Sequence, residues 1–152
     1  MNAHSDDAHL HSDDRLDEWS LIALPLPPLA TGQLQQLSPA ALAYLGDAVY
    51  ELFIRQCYLA PPKRLQTYHD QVVAQVRAES QAQHLQSLLP LLTSAELDIL
   101  KRGRNAASGR PRRIDLETYR QATSLETLTG YLYLTDPQRL FQLLAQLELP
   151  PP

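Results

Sequence analysis

The sequence predicts an all-α fold, a helical bundle, and three observations carry that prediction. A helix-capping residue stands directly before proline twice, at Ser38-Pro39 and Asp136-Pro137. In that order a side-chain oxygen caps the first turn, and a residue without an N–H fills the position that needs none. Apolar residues then recur at three- and four-residue spacing between such signals. No stretch alternates apolar and polar residues cleanly enough for a half-buried strand.

The elements follow in order. Residues 1–18 are polar and acidic and are expected to be a disordered tail; its His4, His9 and His11 read as solvated. Residues 19–37 carry Pro25, Pro27 and Pro28 and read as an extended lead-in. Ser38 opens a helix that runs to about Leu59, where Pro61-Pro62 stop it. Leu65 to about Ser87 reads as one or two helices. Thr93 or Ser94 caps a short helix through Leu100. Gly103 and Gly109 then flank a basic loop. Ile114 or Asp115 opens a helix through Tyr133, and Asp136-Pro137 opens the last, to about Leu147. Residues 149–152 are a proline-rich end. The body, 38–148, is expected to be one domain.

Composition removes several function classes. Of 152 residues, 44% are hydrophobic and 20% charged, which is globular composition. No uncharged apolar run approaches the roughly 18 residues of a membrane span. The N-terminus lacks the basic-then-apolar order of a secretory signal. A single cysteine, Cys57, excludes a disulfide framework and a cysteine-based zinc site. Its position reads as the apolar side of its helix, so a buried, inert thiol is expected. A reducing cytoplasm is the expected location.

Charge is uneven. Between residues 1 and 18, six acids face the single base Arg15. The remaining chain holds 12 bases and 11 acids, and half of those bases lie between Lys101 and Arg113. That stretch contains Lys101, Arg102, Arg104, Arg110, Arg112 and Arg113 and no acid. It is the electrostatic footprint of a phosphate-binding surface, whatever the acidic bulk pI suggests. Asn105 adds a polar group. The bland alternative is a solvated loop.

Helix 38–59 reads as having two faces. Ala41, Leu42, Leu45, Val49, Leu52 and Phe53 form an apolar face expected to meet the core. The opposite face mixes Ala43, Tyr44, Asp47, Tyr50, Glu51, Ile54, Arg55 and Tyr58, and reads as a second contact surface. On it, Tyr50, Ile54 and Tyr58 are candidates for a dimer seam. Gly46 is costly in mid-helix, by about 1 kcal/mol against alanine, so another backbone is expected to pack close there. Asp47 has a plain alternative, a salt bridge to Arg55. In helix 115–133, Leu125, Leu128 and Leu132 mark the buried stripe. Glu126 projects beside it among small and aromatic neighbours, a placement that asks for a partner or a cation. A pair with Arg55 is the alternative. Two semi-buried carboxylates suit Mg2+, or Mn2+, which shares its preference for oxygen. With a phosphate-binding stretch beside them they make the minimum set for metal-dependent phosphodiester hydrolysis.

Leu42 to Arg55, LAYLGDAVYELFIR, resembles the signature helix of the ribonuclease III catalytic domain, in which a glycine-aspartate-alanine triplet carries the key acid. Residues 123–134, TSLETLTGYLYL, resemble that family's second acidic helix, with Glu126 at its glutamate. KRGRNAASG, preceded by LTSAELDIL, looks like the small bacterial branch, Mini-ribonuclease III. The likeness covers roughly residues 33–148. It implies a ribonuclease III-type endonuclease domain in which Asp47 and Glu126 are the catalytic and metal-holding residues. It implies a homodimer that hydrolyses double-stranded RNA, leaves 5′-phosphate and 3′-hydroxyl ends, and matures the large-subunit (23S) ribosomal RNA precursor. The wider family has acids at the positions of Ala43 and Thr123; the small branch shares both losses, so waters or RNA phosphate would complete the metal's shell. No separate double-stranded-RNA-binding domain is expected, which leaves substrate grip to the catalytic domain. Two readings from other classes stand beside this one: a catalytically silent dimer that binds structured RNA, and a helical module whose basic loop meets an acidic protein.

Overall fold

The computed structural model describes residues 29–109 and 111–152. The acidic tail at 1–18, the lead-in before Leu29 and Arg110 lie outside the described residues. Seven α-helices run in chain order among the described residues: α1 Thr31–Gln36, α2 Pro39–Tyr58, α3 Leu65–Val76, α4 Ala78–Leu88, α5 Ser94–Ala106, α6 Leu116–Thr135 and α7 Pro137–Leu144. A short 3-10 turn at Leu89–Leu91 joins α4 to the next connection. The described residues contain no strand.

The capping logic holds at four starts. Ser38, Thr93, Asp115 and Asp136 each accept a backbone N–H of the following first turn. Thr93 and Glu96 cap each other reciprocally. Glu96 also binds Arg139 of α7, with Arg139 Nε donating to its Oε1 at 2.7 Å. That partly buried pair ties α5 to α7 and holds the Glu96 carboxyl below its usual range.

Helix α6 is the axle of the bundle. It packs against α2, α5, α4 and α7, so it is buried nearly all round, with Leu125, Leu128 and Leu132 in the core. Its closest partner is α2. Gly46 of α2 and Gly130 of α6 face each other across the crossing. A Cβ at Gly46 would overlap the Glu126 carbonyl oxygen, and one at Gly130 would overlap that of Leu42. The two backbones therefore touch, and only glycine fits on either side.

This crossing corrects the expected faces of α2. The buried residues are Leu42, Ala43, Gly46, Tyr50, Ile54 and Tyr58, a stripe at four-residue spacing from the glycine. Tyr50 and Ile54 are fully buried and Tyr58 nearly so, so these three are core residues of their own subunit and not a dimer seam. The tyrosines go inside because their hydroxyls find partners: Tyr50 Oη lies 2.5 Å from His84 Nδ1, and Tyr58 Oη donates to the Pro150 carbonyl at 2.9 Å. The outward side is itself apolar: Tyr44, Ala48 and Leu52 stand exposed one turn apart.

Three further expectations change. The lead-in contains α1 where extended chain was expected. Helix α5 does not stop at Leu100 but continues to Ala106, so Lys101 to Asn105 are helical and Gly103 is a packing residue. A Cβ on Gly103 would collide with the Thr127 side chain. Cys57 is exposed; partial burial still pushes its thiol upward, away from a reactive thiolate.

The glycine crossing generates a stability prediction. Gly46→Ala should lower unfolding free energy by about 3 kcal/mol, since backbone cannot yield as a side chain does. Gly32→Ala, where an added Cβ meets nothing within 4 Å, should be neutral or mildly stabilising. Urea melts of the two variants beside wild type check this; equal stability of all three contradicts the crossing.

Candidate active site

Glycine at the crossing also decides where the carboxylates fall. Asp47 follows Gly46 directly, and Glu126 is one turn before Gly130. The two side chains consequently meet in one cleft of about 240 Å³, whose wall includes Ala43, Tyr44, Tyr119 and Thr123. Asp47 is exposed and Glu126 half-buried. The two carboxyls lie close enough for the Asp47 charge to act on Glu126.

The electrostatics follow from that proximity. Burial, and then the Asp47 charge, push the Glu126 carboxyl up to about 7. An N–H of Gln81, whose Nε2 lies 3.2 Å from Glu126 Oε1, pulls the other way. Asp47 is raised too, by burial first and then by Glu51. Neither carboxylate has the cationic partner the bland alternatives offered. Arg55 binds Glu51 instead, 2.5 Å away and one turn along α2.

This donor set suits a hard divalent cation. It is all oxygen, and its two acids repel each other until a positive charge intervenes. Among the described residues no group of three or more His, Cys, Asp and Glu side chains converges. Two carboxylates leave most of a six-oxygen shell to water and phosphate, as Mg2+ tolerates. Ala43 and Thr123, where the resemblance places acids in the wider family, line this same cleft. The departure therefore lies in the site itself.

The basic stretch borders the cleft. Close packing of Gly103 on α6 brings the end of α5 to its wall, at Ala106, Ala107 and Ser108. Tyr119 Oη donates to the Ser108 carbonyl at 2.9 Å and holds that segment. Lys101, Arg102, Asn105, Arg112 and Arg113 are exposed. Arg104 is different: its guanidinium makes a two-pronged pair with Glu117, at 2.5 and 2.6 Å. An acid distant in sequence thus offsets one of the cations. Tyr44 and Tyr119 share helices with Asp47 and Glu126, as the sequence reading placed them, whereas Gln81 is a site residue that sequence reasoning passed over. Its spacing carries no chemical signature, and only the packing of α4 on α6 brings it to Glu126.

The chain is similar to several known proteins. Residues 40–137 match the family model for the ribonuclease III domain. The chain is 54% identical over 136 residues to a Mini-ribonuclease 3 of Synechocystis, covering 90% of this chain and 95% of that one. It is 59% identical to a Mini-ribonuclease 3 of Synechococcus, covering 78% and 86%. Among solved structures it resembles protein FN1578 of Fusobacterium nucleatum, with a TM-score of 0.67 at 31% identity, covering 72% of this chain and 88% of that one.

The raised carboxyl predicts a pH dependence. The folded protein binds a proton at Glu126 that the unfolded chain, near 4.5, has already released. Stability should therefore fall as pH rises from about 4.5 to about 7 and level off above. The fall should be on the order of 3 kcal/mol. Thermal melts in EDTA should show it for wild type and a flatter profile for Glu126→Gln. Parallel profiles for the two would contradict the assignment.

Proposed function

The chain belongs to the ribonuclease III family of endoribonucleases, in its Mini-ribonuclease 3 branch, and we propose that it hydrolyses double-stranded RNA at the Asp47–Glu126 cleft with Mg2+ or Mn2+. The observation that carries this reading is the meeting of two charge-deficient carboxylates beside a stretch of exposed cations. Asp47 and Glu126 would hold the cation. Bound there, a divalent ion offsets phosphate charge and makes a nearby water a stronger nucleophile. Asp47, open to solvent, faces the incoming backbone. Glu126, deeper and fixed by Gln81, anchors the site. The exposed Lys101, Arg102, Arg112 and Arg113 take neighbouring phosphates, with Asn105 available to a sugar or phosphate oxygen. Attack on phosphorus with departure of the 3′ oxygen leaves 5′-phosphate and 3′-hydroxyl ends. The resemblance to the small branch supports the large-subunit (23S) ribosomal RNA precursor as the substrate and the cytoplasm as the place. No helix among the described residues is long and apolar enough to cross a membrane.

Cutting both strands requires two sites, and the proposal includes a homodimer. The stripe that supports it is Tyr44, Ala48 and Leu52, opposite the core side of α2. Tyr44 is 86% exposed and Leu52 49%, a large apolar cost for a lone subunit. Wild type should sediment as a dimer at micromolar concentration, and Leu52→Asp should shift it toward monomer. A wild-type monomer would remove the dimer from the account.

Cleavage tests the chemistry. Duplex RNA should be cut with Mg2+ and left intact with EDTA. Asp47→Asn and Glu126→Gln should each lower kcat at least a hundredfold, about 2.7 kcal/mol of barrier, while duplex binding persists. The double variant should lose little more, because the two act as one unit. An Asp47→Asn enzyme within threefold of wild type would falsify the assignment.

Salt dependence tests the grip. Affinity should fall steeply with salt as phosphate contacts release counterions. Arg102→Ala should flatten the log–log slope by about one unit for every duplex sequence. Arg104→Ala should flatten it less, since Glu117 already occupies that guanidinium. An unchanged slope in Arg102→Ala would place the RNA elsewhere.

A further inference from the structure

We propose that Gln81 is a positioning residue for the cation site: its carboxamide holds the Glu126 side chain in place beside Asp47. The inference rests on the reading of Asp47 and Glu126 as that site. Helices α3 and α4 are separated by one extended residue, Arg77. Val76 ends α3, so its carbonyl has no continuing turn to bond. Gln81, four residues into α4 and only 2% exposed, donates its Nε2 to that carbonyl at 2.8 Å.

A carbonyl only accepts, so the amide nitrogen must face Val76. The second hydrogen of the same nitrogen then reaches Glu126 Oε1. Both donors are spent, and the amide cannot turn without losing both acceptors. Its Oε1 is left buried without a hydrogen-bond partner, the single such side-chain atom among the described residues. An orphaned buried acceptor costs about 1–3 kcal/mol. Stapling the helix junction alone does not require that cost. Neighbouring Ser80 shows the cheaper solution, with its hydroxyl donating to the Ala74 carbonyl at 2.5 Å and all its polar atoms satisfied. What Gln81 adds is the N–H on Glu126. In a cleft with only two carboxylates, a fixed donor there keeps the deeper one oriented and favours the charged form a cation needs.

The test is Mn2+ binding by the full chain after EDTA treatment, without RNA, read from the electron paramagnetic resonance signal of free Mn2+. Gln81→Met keeps the shape and removes the donor. It should raise the Mn2+ Kd about tenfold, in line with other residues that orient a metal ligand. Ser80→Ala loosens the same junction without touching Glu126 and should stay within twofold. In a Glu126→Gln background, Gln81→Met should add nothing. Cleavage by Gln81→Met should lose kcat while KM for duplex RNA holds. If Gln81→Met does not fold, Gln81→Asn, whose shorter amide cannot reach both acceptors, is read by the same titration. Binding by the Gln81 variant within twofold of wild type overturns the inference, as does an equal loss in Ser80→Ala. A wild type that cuts duplex RNA with Mn2+ while its Gln81 variant binds Mn2+ equally well condemns Gln81 alone. A wild type that neither binds Mn2+ nor cuts condemns the site reading itself. A wild type that cuts without binding Mn2+ in the absence of RNA also overturns the Gln81 inference.

Discussion

Backbone touches backbone where Gly46 of α2 meets Gly130 of α6, and the remaining architecture is arranged around that contact. Two helices this close leave no room for a core between them at the crossing. The core is displaced along α2 to Tyr50, Ile54 and Tyr58, and along α6 to Leu125, Leu128 and Leu132. The same closeness sets the site. The residue after one glycine and the residue four before the other are thrown together, and both are acids. A wider helix spacing would let Asp47 and Glu126 sit apart as ordinary solvated carboxylates. Held together, they are short of positive charge, and that shortage is what a cation can relieve.

Each surrounding element serves the pair in a separate way. Helix α4 reaches Glu126 from behind through Gln81. Helix α5 is pressed onto α6 at Gly103 and carries cations to the rim of the cleft. The Glu96–Arg139 pair fixes α5 at its start, and the Arg104–Glu117 pair fixes it near its end. That second pair takes one cation out of the proposed phosphate-binding surface. The basic stretch is thus partly a rigid helix, not a free arm. Rigid presentation lowers the entropy lost when a duplex is bound.

Much of this was legible in the residues. Capping residues, two of them followed by proline, placed four helix starts to within a residue, because capping is local chemistry. Gly46 announced a backbone contact, since nothing else justifies glycine in mid-helix. Asp47 and Glu126 stood out as carboxylates in neighbourhoods that do not suit them. The faces of α2 were misread in part: Leu42, Val49 and Phe53 of the expected face do meet the core, but hydrophobicity alone favours Leu45 and Leu52 over Tyr50 and Tyr58. Burial of those tyrosines depends on His84 and Pro150, which are partners no local pattern reveals. The glycine itself held the missing cue: steps of four from Gly46 name the true core stripe. The end of α5 was misplaced because Gly103 looks like a stop, and its role emerges only against Thr127. Gln81 was invisible for the same reason, since its meaning lies in two acceptors on other segments.

The central claim is that the glycine crossing makes Asp47 and Glu126 a single cation-binding, RNA-cutting site. Anomalous diffraction from crystals soaked in Mn2+ tests it most directly. The account predicts one strong peak within about 2.5 Å of oxygens from both carboxylates, lost in Asp47→Asn crystals soaked alike. A wild-type enzyme that cuts duplex RNA in Mn2+, yet places its peak away from these two side chains, would contradict it.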